Sequence, residues 1–195
     1  MRSLSAPSRF ALALTAGGAL WLSLLSATGN AVAAALLPAL RAELALLTPQ
    51  YRLIDLRVAH RGEDVIEVDV ATRRELLYPN GAVPSGTVMT ASTLVGHLLQ
   101  PVILLLSALT APALLGRLRL SLALALTLLA AMLVIAADVP FVLAGALDDL
   151  THAIGPAPAP SPLVAWMNFL NGGGRLALAA AAAVAVSAVS WKAAR

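Results

Sequence analysis

The chain contains no cysteine, a single lysine and very little charge of either sign. The lack of cysteine excludes disulfides, thiolate metal sites and a cysteine nucleophile. Only 12% of the 195 residues are charged and 4% are aromatic, whereas 59% are hydrophobic. A soluble domain of this size carries about a quarter charged residues. Long runs of Leu, Ala and Val take the place of the missing charge, so the composition indicates helices surrounded by lipid.

Four stretches are long enough to cross a hydrocarbon core of about 30 Å, which takes roughly 20 helical residues. They cover about 10–37, 94–115, 118–147 and 176–191. The sequence therefore predicts a membrane protein that is mainly α, with four transmembrane helices and a small extracytoplasmic insert containing a β-hairpin between helices 1 and 2. The predicted divisions of the chain are 1–40, 41–93, 94–147, 148–173 and 174–195.

The charged residues between these stretches predict the orientation in the bilayer. Short loops rich in Lys and Arg stay in the cytoplasm. The segments on the side of the N-terminus hold only bases: Arg2, Arg9, Arg117, Arg119, Lys192 and Arg195. The segments on the other side hold most of the acids: Glu43, Asp55, Glu63, Asp64, Glu67, Asp69, Glu75, Asp148 and Asp149. We therefore expect both termini in the cytoplasm and a place in the bacterial inner membrane, and membrane orientation explains the pI of 10.2 better than nucleic-acid binding does.

The first hydrophobic stretch also has the features of a cleaved signal peptide, with Arg2 and Arg9 before it and small residues at 31–35. Its apolar run is much longer than the roughly 7–15 residues of a signal-peptide core. We therefore predict a retained helix, and cleavage would leave three helices with the same downstream topology.

Two runs after the first stretch alternate between apolar and charged residues, as half-buried strands do. The apolar positions are Ile54, Leu56 and Val58 in the first run and Ile66, Val68 and Val70 in the second. A Gly-containing loop at 60–64 joins them, so they predict a β-hairpin. Turn residues follow at 79–81 and 84–86, residues 87–91 form a third strand, and Ser92 or Thr93 caps the second membrane helix.

The second loop outside the membrane predicts an extended path and then an interfacial segment. Proline recurs at alternate positions, namely Pro156, Pro158, Pro160 and Pro162. Such spacing favours a polyproline-like conformation. Residues 163–169, which include Trp166 and Phe169, then resemble a segment that dips back toward the bilayer.

A run of three glycines followed by arginine is the most unusual motif in the chain. The residues of interest are Asn168, Asn171, Gly172, Gly173, Gly174 and Arg175. The start of a helix has free N–H groups and a positive dipole end, and the Arg175 guanidinium suits carboxylate or phosphate. The motif predicts a binding site for an anion or a partner, and the alternative is a flexible turn before an arginine that reaches the interface.

A second set of polar residues lies at a similar depth in the predicted topology, toward the outer side. His97 and Gln100 fall in the first turns of the second helix, and Asp138 lies about 20 residues into the third. Carboxylates inside a membrane usually face a partner or a wet cavity. An Asp138–Arg175 pair is the simplest way to satisfy both charges. This layer is either a structural connection between helices or a substrate site.

Catalytic templates find little support in the sequence. The three histidines, His60, His97 and His152, lack metal-ligand spacing, so we expect no metal and no cofactor. A serine–lysine pair is excluded because Lys192 lies on the cytoplasmic side of the predicted topology. We assign no catalytic residue.

Three stretches together resemble the exosortase H-associated membrane proteins. They are 138–147, starting with Asp138-Val139-Pro140-Phe141, then 166–176, centred on Asn171-Gly172-Gly173-Gly174-Arg175, and His97-Leu98-Leu99-Gln100-Pro101. The resemblance implies a companion of a bacterial sorting enzyme that processes exported proteins through a cysteine. Because this chain has no cysteine, the resemblance implies an accessory role rather than the enzyme itself.

Two function classes follow from these observations. The first is a non-enzymatic accessory protein that binds an exosortase-like membrane partner or an exported substrate at the outer membrane face. The alternative is a small membrane enzyme acting on a lipid or polyprenyl-phosphate-linked substrate, with Arg175 and Asn171 on the phosphate and Asp138 or His97 as acid or base. A transporter component would need oligomerisation, because four helices are few for an independent pathway.

Overall fold

In a computed structural model, the chain is mainly helical and contains a small antiparallel sheet. The structure describes residues 6–78, 81–116, 119–152 and 161–191. The helices are α1 (Ala6–Leu47), α2 (Val95–Leu114), α3 (Leu120–His152), α4 (Pro162–Phe169) and α5 (Arg175–Ser190), with a π-helical turn at Leu170–Gly174. The strands are β1 (Tyr51–His60), β2 (Asp64–Thr72), β3 (Leu76–Tyr78), β4 (Gly81–Val83) and β5 (Val88–Leu94).

Four helical segments are long and apolar enough to cross a membrane, as the sequence predicts. They are Pro7–Leu47, Val95–Leu114, Leu120–Thr151 and Pro162–Ser190. The first helix has 42 residues and continues through Pro38, so it ends ten residues beyond the predicted limit at Leu37. At 1.5 Å per residue its length is about 63 Å, roughly twice the thickness of a hydrocarbon core. Much of α1 therefore extends outside the lipid core.

The described residues form two compact units. The first unit combines α1 up to Thr28 with Leu99–Ile135 and the chain from Arg175 onward. Its centre is built from Leu105 and from small residues on α3 and α5, among them Ala131, Ala179 and Ala183. Small side chains allow membrane helices to approach closely.

Polar contacts also join α1 and α2 within the first unit. The indole N–H of Trp21 donates to Thr110 Oγ1 at 2.9 Å, while Thr110 itself donates to the carbonyl oxygen of Leu106 at 2.7 Å. A Cβ added at Gly17 would lie 3.0 Å from the Thr110 side chain. The close approach of the two helices therefore depends on this glycine.

The second unit, Gly29–Leu98 with Ala136–Gly174, contains the sheet. Its three antiparallel strands have the order β1–β2–β5, which confirms the predicted hairpin and third strand. Ile66, Val68 and Val70 on the central strand β2 have no exposed surface. The apolar face of the sheet is thus buried, as the alternating pattern predicts.

A β-bulge in β1 changes which of its residues face inward. Leu53 pairs with Val70, but the next partners are Asp55 and Asp69, so Ile54 is the extra residue. Ile54 is 46% exposed, and Tyr51 before the bulge is buried instead. The prediction that Ile54 shares the buried face with Leu56 and Val58 is therefore wrong.

The junction between the sheet and the second membrane helix also differs from the prediction. Ser92 and Thr93 belong to β5, and α2 begins at Val95 directly after Leu94. Neither residue is a helix cap, because both keep strand conformation and pair with β2. The short hairpin of β3 and β4 was not predicted, since three-residue strands carry too little alternation to detect.

The predicted extended segment at Pro156, Pro158 and Pro160 lies outside the described residues, as do Pro79 and Asn80 in the predicted turn. The described chain resumes with Ser161, whose hydroxyl accepts from the N–H of Leu163 and caps α4. Pro162 occupies the first helical turn, where its missing N–H costs nothing.

Candidate functional site

The glycine-rich motif forms a tight corner in which α4 passes into α5 through the π-helical turn. Gly173 has φ of 108°, a conformation that favours glycine. A Cβ added at Gly174 would lie 2.5 Å from the Phe169 ring and 2.7 Å from its carbonyl oxygen. Gly173 therefore supplies the unusual backbone angle, and Gly174 lets the chain pack against Phe169.

The corner exposes some of its polar residues and buries others. Asn168, Asn171, Gly172 and Gly173 are exposed. Arg175, which begins α5 in the first unit, is only 4% exposed. The backbone is non-helical at Gly173, so the chain is kinked in the turn before α5 begins at Arg175. The anion or partner site at this motif stays a prediction.

Two close contacts fix α4 against the outer part of α3 within the second unit. A Cβ added at Gly145 would lie 2.7 Å from the Leu163 carbonyl oxygen and 2.8 Å from Met167 Cβ. The indole N–H of Trp166 donates to the Ala137 carbonyl oxygen at 2.9 Å. The segment predicted to be interfacial is therefore a helix anchored to α3.

The other predicted polar residues occupy different environments. Asp138 is 1% exposed, His97 is half-buried and Gln100 is exposed. His97 and Asp138 belong to the second unit, and Gln100 belongs to the first with Arg175. His97, Asp138 and Arg175 all have interaction partners. The Asp138–Arg175 pair joins residues of two different units, and it stays a prediction.

The polar face of the sheet carries a network of five charged residues that the sequence reasoning did not assemble. Arg57 Nη1 donates to Asp55 at 2.6 Å and to Asp69 at 2.7 Å, and Arg57 Nη2 donates to Glu67. Arg61 binds Glu67 from the other side at 3.0 Å. The Glu67 side chain is only 4% exposed, so its charge is neutralised by two arginines rather than by water.

The register of β1 and β2 creates this network. Arg57 lies opposite Glu67, and Asp55 lies opposite Asp69. Alternate residues of a strand share one face, and directly opposed residues are neighbours. The signal was present in the sequence, because the charged positions of both strands alternate in phase, but the register was needed to pair them.

The network changes the acid–base properties of its members. Hydrogen bonds to Asp55 and Asp69 raise the pKa of Arg57 above its ordinary value. The Thr90 hydroxyl donates to Asp69 at 2.7 Å, and this bond, followed by that from Arg57, lowers the pKa of the Asp69 carboxyl. Both shifts favour the charged forms that hold the network together.

A smaller contact connects the hairpin loop to α1. Asn30 Nδ2 donates to Asp64 Oδ2 at 2.7 Å, and His60 Nδ1 lies 2.8 Å from Asp64 Oδ1. The bond to His60 and then that from Asn30 lower the pKa of the Asp64 carboxyl. The loop at 61–63 therefore returns to the middle of α1, so the hairpin runs back along the helix that precedes it.

Within the described residues, no group of three or more His, Asp and Glu side chains is arranged to hold a metal ion. No protein-family model, no curated protein and no solved structure matches the chain. Function therefore has to be argued from the geometry of the two units and from the sequence.

Proposed function

We propose that the chain is a non-enzymatic accessory protein of the bacterial inner membrane. In this proposal it serves an envelope protein-sorting system of the exosortase type and binds a membrane partner or an exported substrate at the outer face. The observation that carries the proposal is the small sheet, which lies outside the four membrane segments in the sequence. The charged residues of this sheet bind one another. Its exposed surface is left for contact with another protein.

The length of α1 supports this role. The helix continues about 15 Å beyond Leu37 at 1.5 Å per residue, and the sheet follows its end after three residues. The Asn30–Asp64 bond then ties the hairpin loop back to the helix. The sheet is thus held on a continuous helical support, a rigid way to present a binding surface near a membrane.

Exposed leucines near the ends of these elements support a protein contact. Leu46 is 83% exposed at the end of α1, and Leu77 is 79% exposed in the β3–β4 hairpin. Leu77 lines a shallow depression with Arg74, Glu75 and Leu76. Apolar side chains rimmed by charged ones are typical of interaction sites on soluble surfaces.

Affinity purification in mild detergent from native membranes tests the proposal. We expect a stoichiometric membrane protein or exported protein with the wild type and its loss with Leu77→Ser. Leu46→Ser should weaken copurification as well, and Glu63→Ala, a change at an exposed position of the hairpin loop, is the control that should retain the partner. A homogeneous preparation carrying only lipid would contradict the accessory role.

The proposed orientation has its own test, because the chain contains no cysteine to be replaced first. Single variants Glu63→Cys and Arg9→Cys are exposed to a membrane-impermeant maleimide on intact spheroplasts. We expect labelling at position 63 only. Labelling at position 9 instead would reverse the topology and place the sheet in the cytoplasm.

The burial of Asp138 favours a second candidate function, a small enzyme acting on a lipid or polyprenyl-phosphate-linked substrate. A carboxylate with 1% exposure in a membrane helix is costly and is often functional. Mass spectrometry of the purified protein tests this candidate, which requires a bound phospholipid or polyprenyl phosphate that turns over. The conservative variant Asp138→Asn should keep the fold and abolish turnover.

A further inference from the structure

The outer edge of β5 has backbone groups that no residue of the described chain engages. The N–H of Thr72 donates to the carbonyl oxygen of Thr87 at 3.1 Å. Directly opposed residues in an antiparallel pair alternate between hydrogen-bonded and non-hydrogen-bonded pairs. When this alternation is continued along the strand, the backbone groups of Met89, Ala91 and Thr93 bond to β2. The N–H and C=O groups of the intervening residues Val88, Thr90 and Ser92 therefore point away from the sheet.

The side chains of these three residues lie on the exposed face of the sheet. Val88 is 61% exposed and Thr90 and Ser92 are exposed, whereas Ala91 and Thr93 are buried at 6% and 7% exposure. Among the described residues, no backbone hydrogen bond reaches the outward groups of these three residues. They form a row of free donors and acceptors, which is the template that strand addition uses.

The opposite edge of the sheet, formed by β1, is protected against the addition of another strand. The bulge at Ile54 interrupts β1, and charged side chains line the strand. The Asp55 carboxylate accepts from the N–H of Leu56. The Tyr51 carbonyl accepts from Arg73 Nε, and the Tyr51 N–H donates to Thr48. Bulges, charges and occupied groups are the usual means of blocking an edge.

Strand β5 has none of these protections. Its sequence, Val-Met-Thr-Ala-Ser-Thr-Leu, contains no charge, no proline and no glycine, and it pairs with β2 without a bulge. The sheet is therefore open to pairing with another strand at the β5 edge and blocked at the β1 edge. We propose that the β5 edge binds an extended, uncharged segment of an exported protein as a fourth strand.

The chemistry of the two faces defines this segment. Met89 and Ala91 share the buried apolar face, so the residues beside them should be apolar. Thr90 and Ser92 share the face of Asp69 and Glu67, so small hydroxyl residues fit there and acidic residues would be repelled. The segment should alternate apolar residues with Ser or Thr.

Hydrogen–deuterium exchange on the full chain in lipid nanodiscs tests the inference. The probe is the peptide Thr-Val-Thr-Val-Thr-Val-Thr, acetylated and amidated, beside the same peptide N-methylated at every residue, which removes all N–H groups that could bond to β5. Without peptide, amides of Thr90 and Ser92 should exchange at least ~10-fold faster than that of Ala91. The unmodified peptide should slow Thr90 and Ser92 toward the rate of Ala91, and the N-methylated peptide should not.

The variant Thr90→Pro provides the matched control. It removes an outward N–H and the hydroxyl that donates to Asp69, but it keeps the backbone hydrogen bonds from β5 to β2, so Ala91 should stay protected while peptide protection is lost at Ser92. Slow exchange of Thr90 and Ser92 in the free wild type would overturn the inference, because the edge would already be covered. Equal protection by both peptides would also overturn it.

The inference rests on the proposed function for its exported partner, but the two can fail separately. If the wild type copurifies a partner that Thr90→Pro also retains, the accessory role stands and the edge site fails. If the edge binds the peptide while no protein copurifies from native membranes, the edge site stands and the accessory role fails.

Discussion

The indole N–H of Trp166 donates to the backbone carbonyl oxygen of Ala137, joining α4 to α3 at 2.9 Å. Ala137 lies in the helical turn before Pro140. Pro140 has no N–H, so the carbonyl oxygen of Ala136, four residues earlier, loses its helical donor. Trp166 binds the next carbonyl along the chain, that of Ala137, and thereby holds α4 beside the proline of α3.

Replacing Trp166 by Phe should therefore destabilise the packing of α4. The ring remains apolar, but one hydrogen bond with a net value of about 1 kcal/mol is lost. Thermal unfolding of the detergent-solubilised protein measures the effect as a lower midpoint. Val184→Ala changes a residue of α5 that is 70% exposed, and it should alter the midpoint much less.

The close contact at Gly145 predicts a larger effect. Gly145→Val would force its side chain into the Leu163 carbonyl and Met167, and such overpacking typically costs about 1–3 kcal/mol. Gly172→Ala is the matched control, because its added Cβ has open space and no strained backbone angle. Equal unfolding midpoints for the two variants would contradict the packing of α4 against α3.

The two arginines around Glu67 predict that this carboxylate stabilises the sheet. Glu67→Ala leaves Arg57 and Arg61 without their shared partner, and the loss should be roughly 1–2 kcal/mol because both arginines keep access to water. Glu63→Ala, in the exposed loop, should be nearly neutral. Chemical denaturation, monitored through the β-sheet signal in circular dichroism, would measure the difference in unfolding free energy between the two variants.

The lowered pKa of Asp69 predicts a sheet that is sensitive to acid. A carboxyl whose folded pKa lies below its unfolded value of about 3.9 contributes stability above that pH. The contribution is lost as the pH falls through the folded pKa, since protonation then favours the unfolded chain. The protection factors of β2 amides, which compare observed with intrinsic exchange rates, should therefore fall below about pH 4, and Asp69→Asn should weaken that dependence.

Some of the fold could be predicted because its determinants are local. A run of about 20 apolar residues predicts a membrane helix wherever it occurs, and alternation at 54–58 and 66–70 predicts paired strands. The helix that contains the predicted stretch 10–37 continues through Pro38 to Leu47. A proline ring is tolerated within a long helix when surrounding groups satisfy the freed carbonyl.

The candidate site was less predictable, because its features depend on register and on packing between distant segments. The sequence placed Arg57, Glu67 and Asp69 on two neighbouring strands, but the register of β1 and β2 decides which of them meet. The Gly172-Gly173-Gly174 run predicted a site at the start of a helix, but only the structure shows the kink at Gly173 and the packing of Gly174 on Phe169.

The sequence by itself determined that the chain has four apolar segments and a small sheet between the first two, because hydrophobic length and alternation are properties of neighbouring residues. Only the tertiary structure decided that Glu67 is buried between two arginines, that Trp166 fixes α4 to α3, and that the described residues leave the β5 edge unpaired while they block the β1 edge. These relations depend on which backbone groups and side chains meet across the fold. A bulge of one residue or a glycine at one contact is enough to change them.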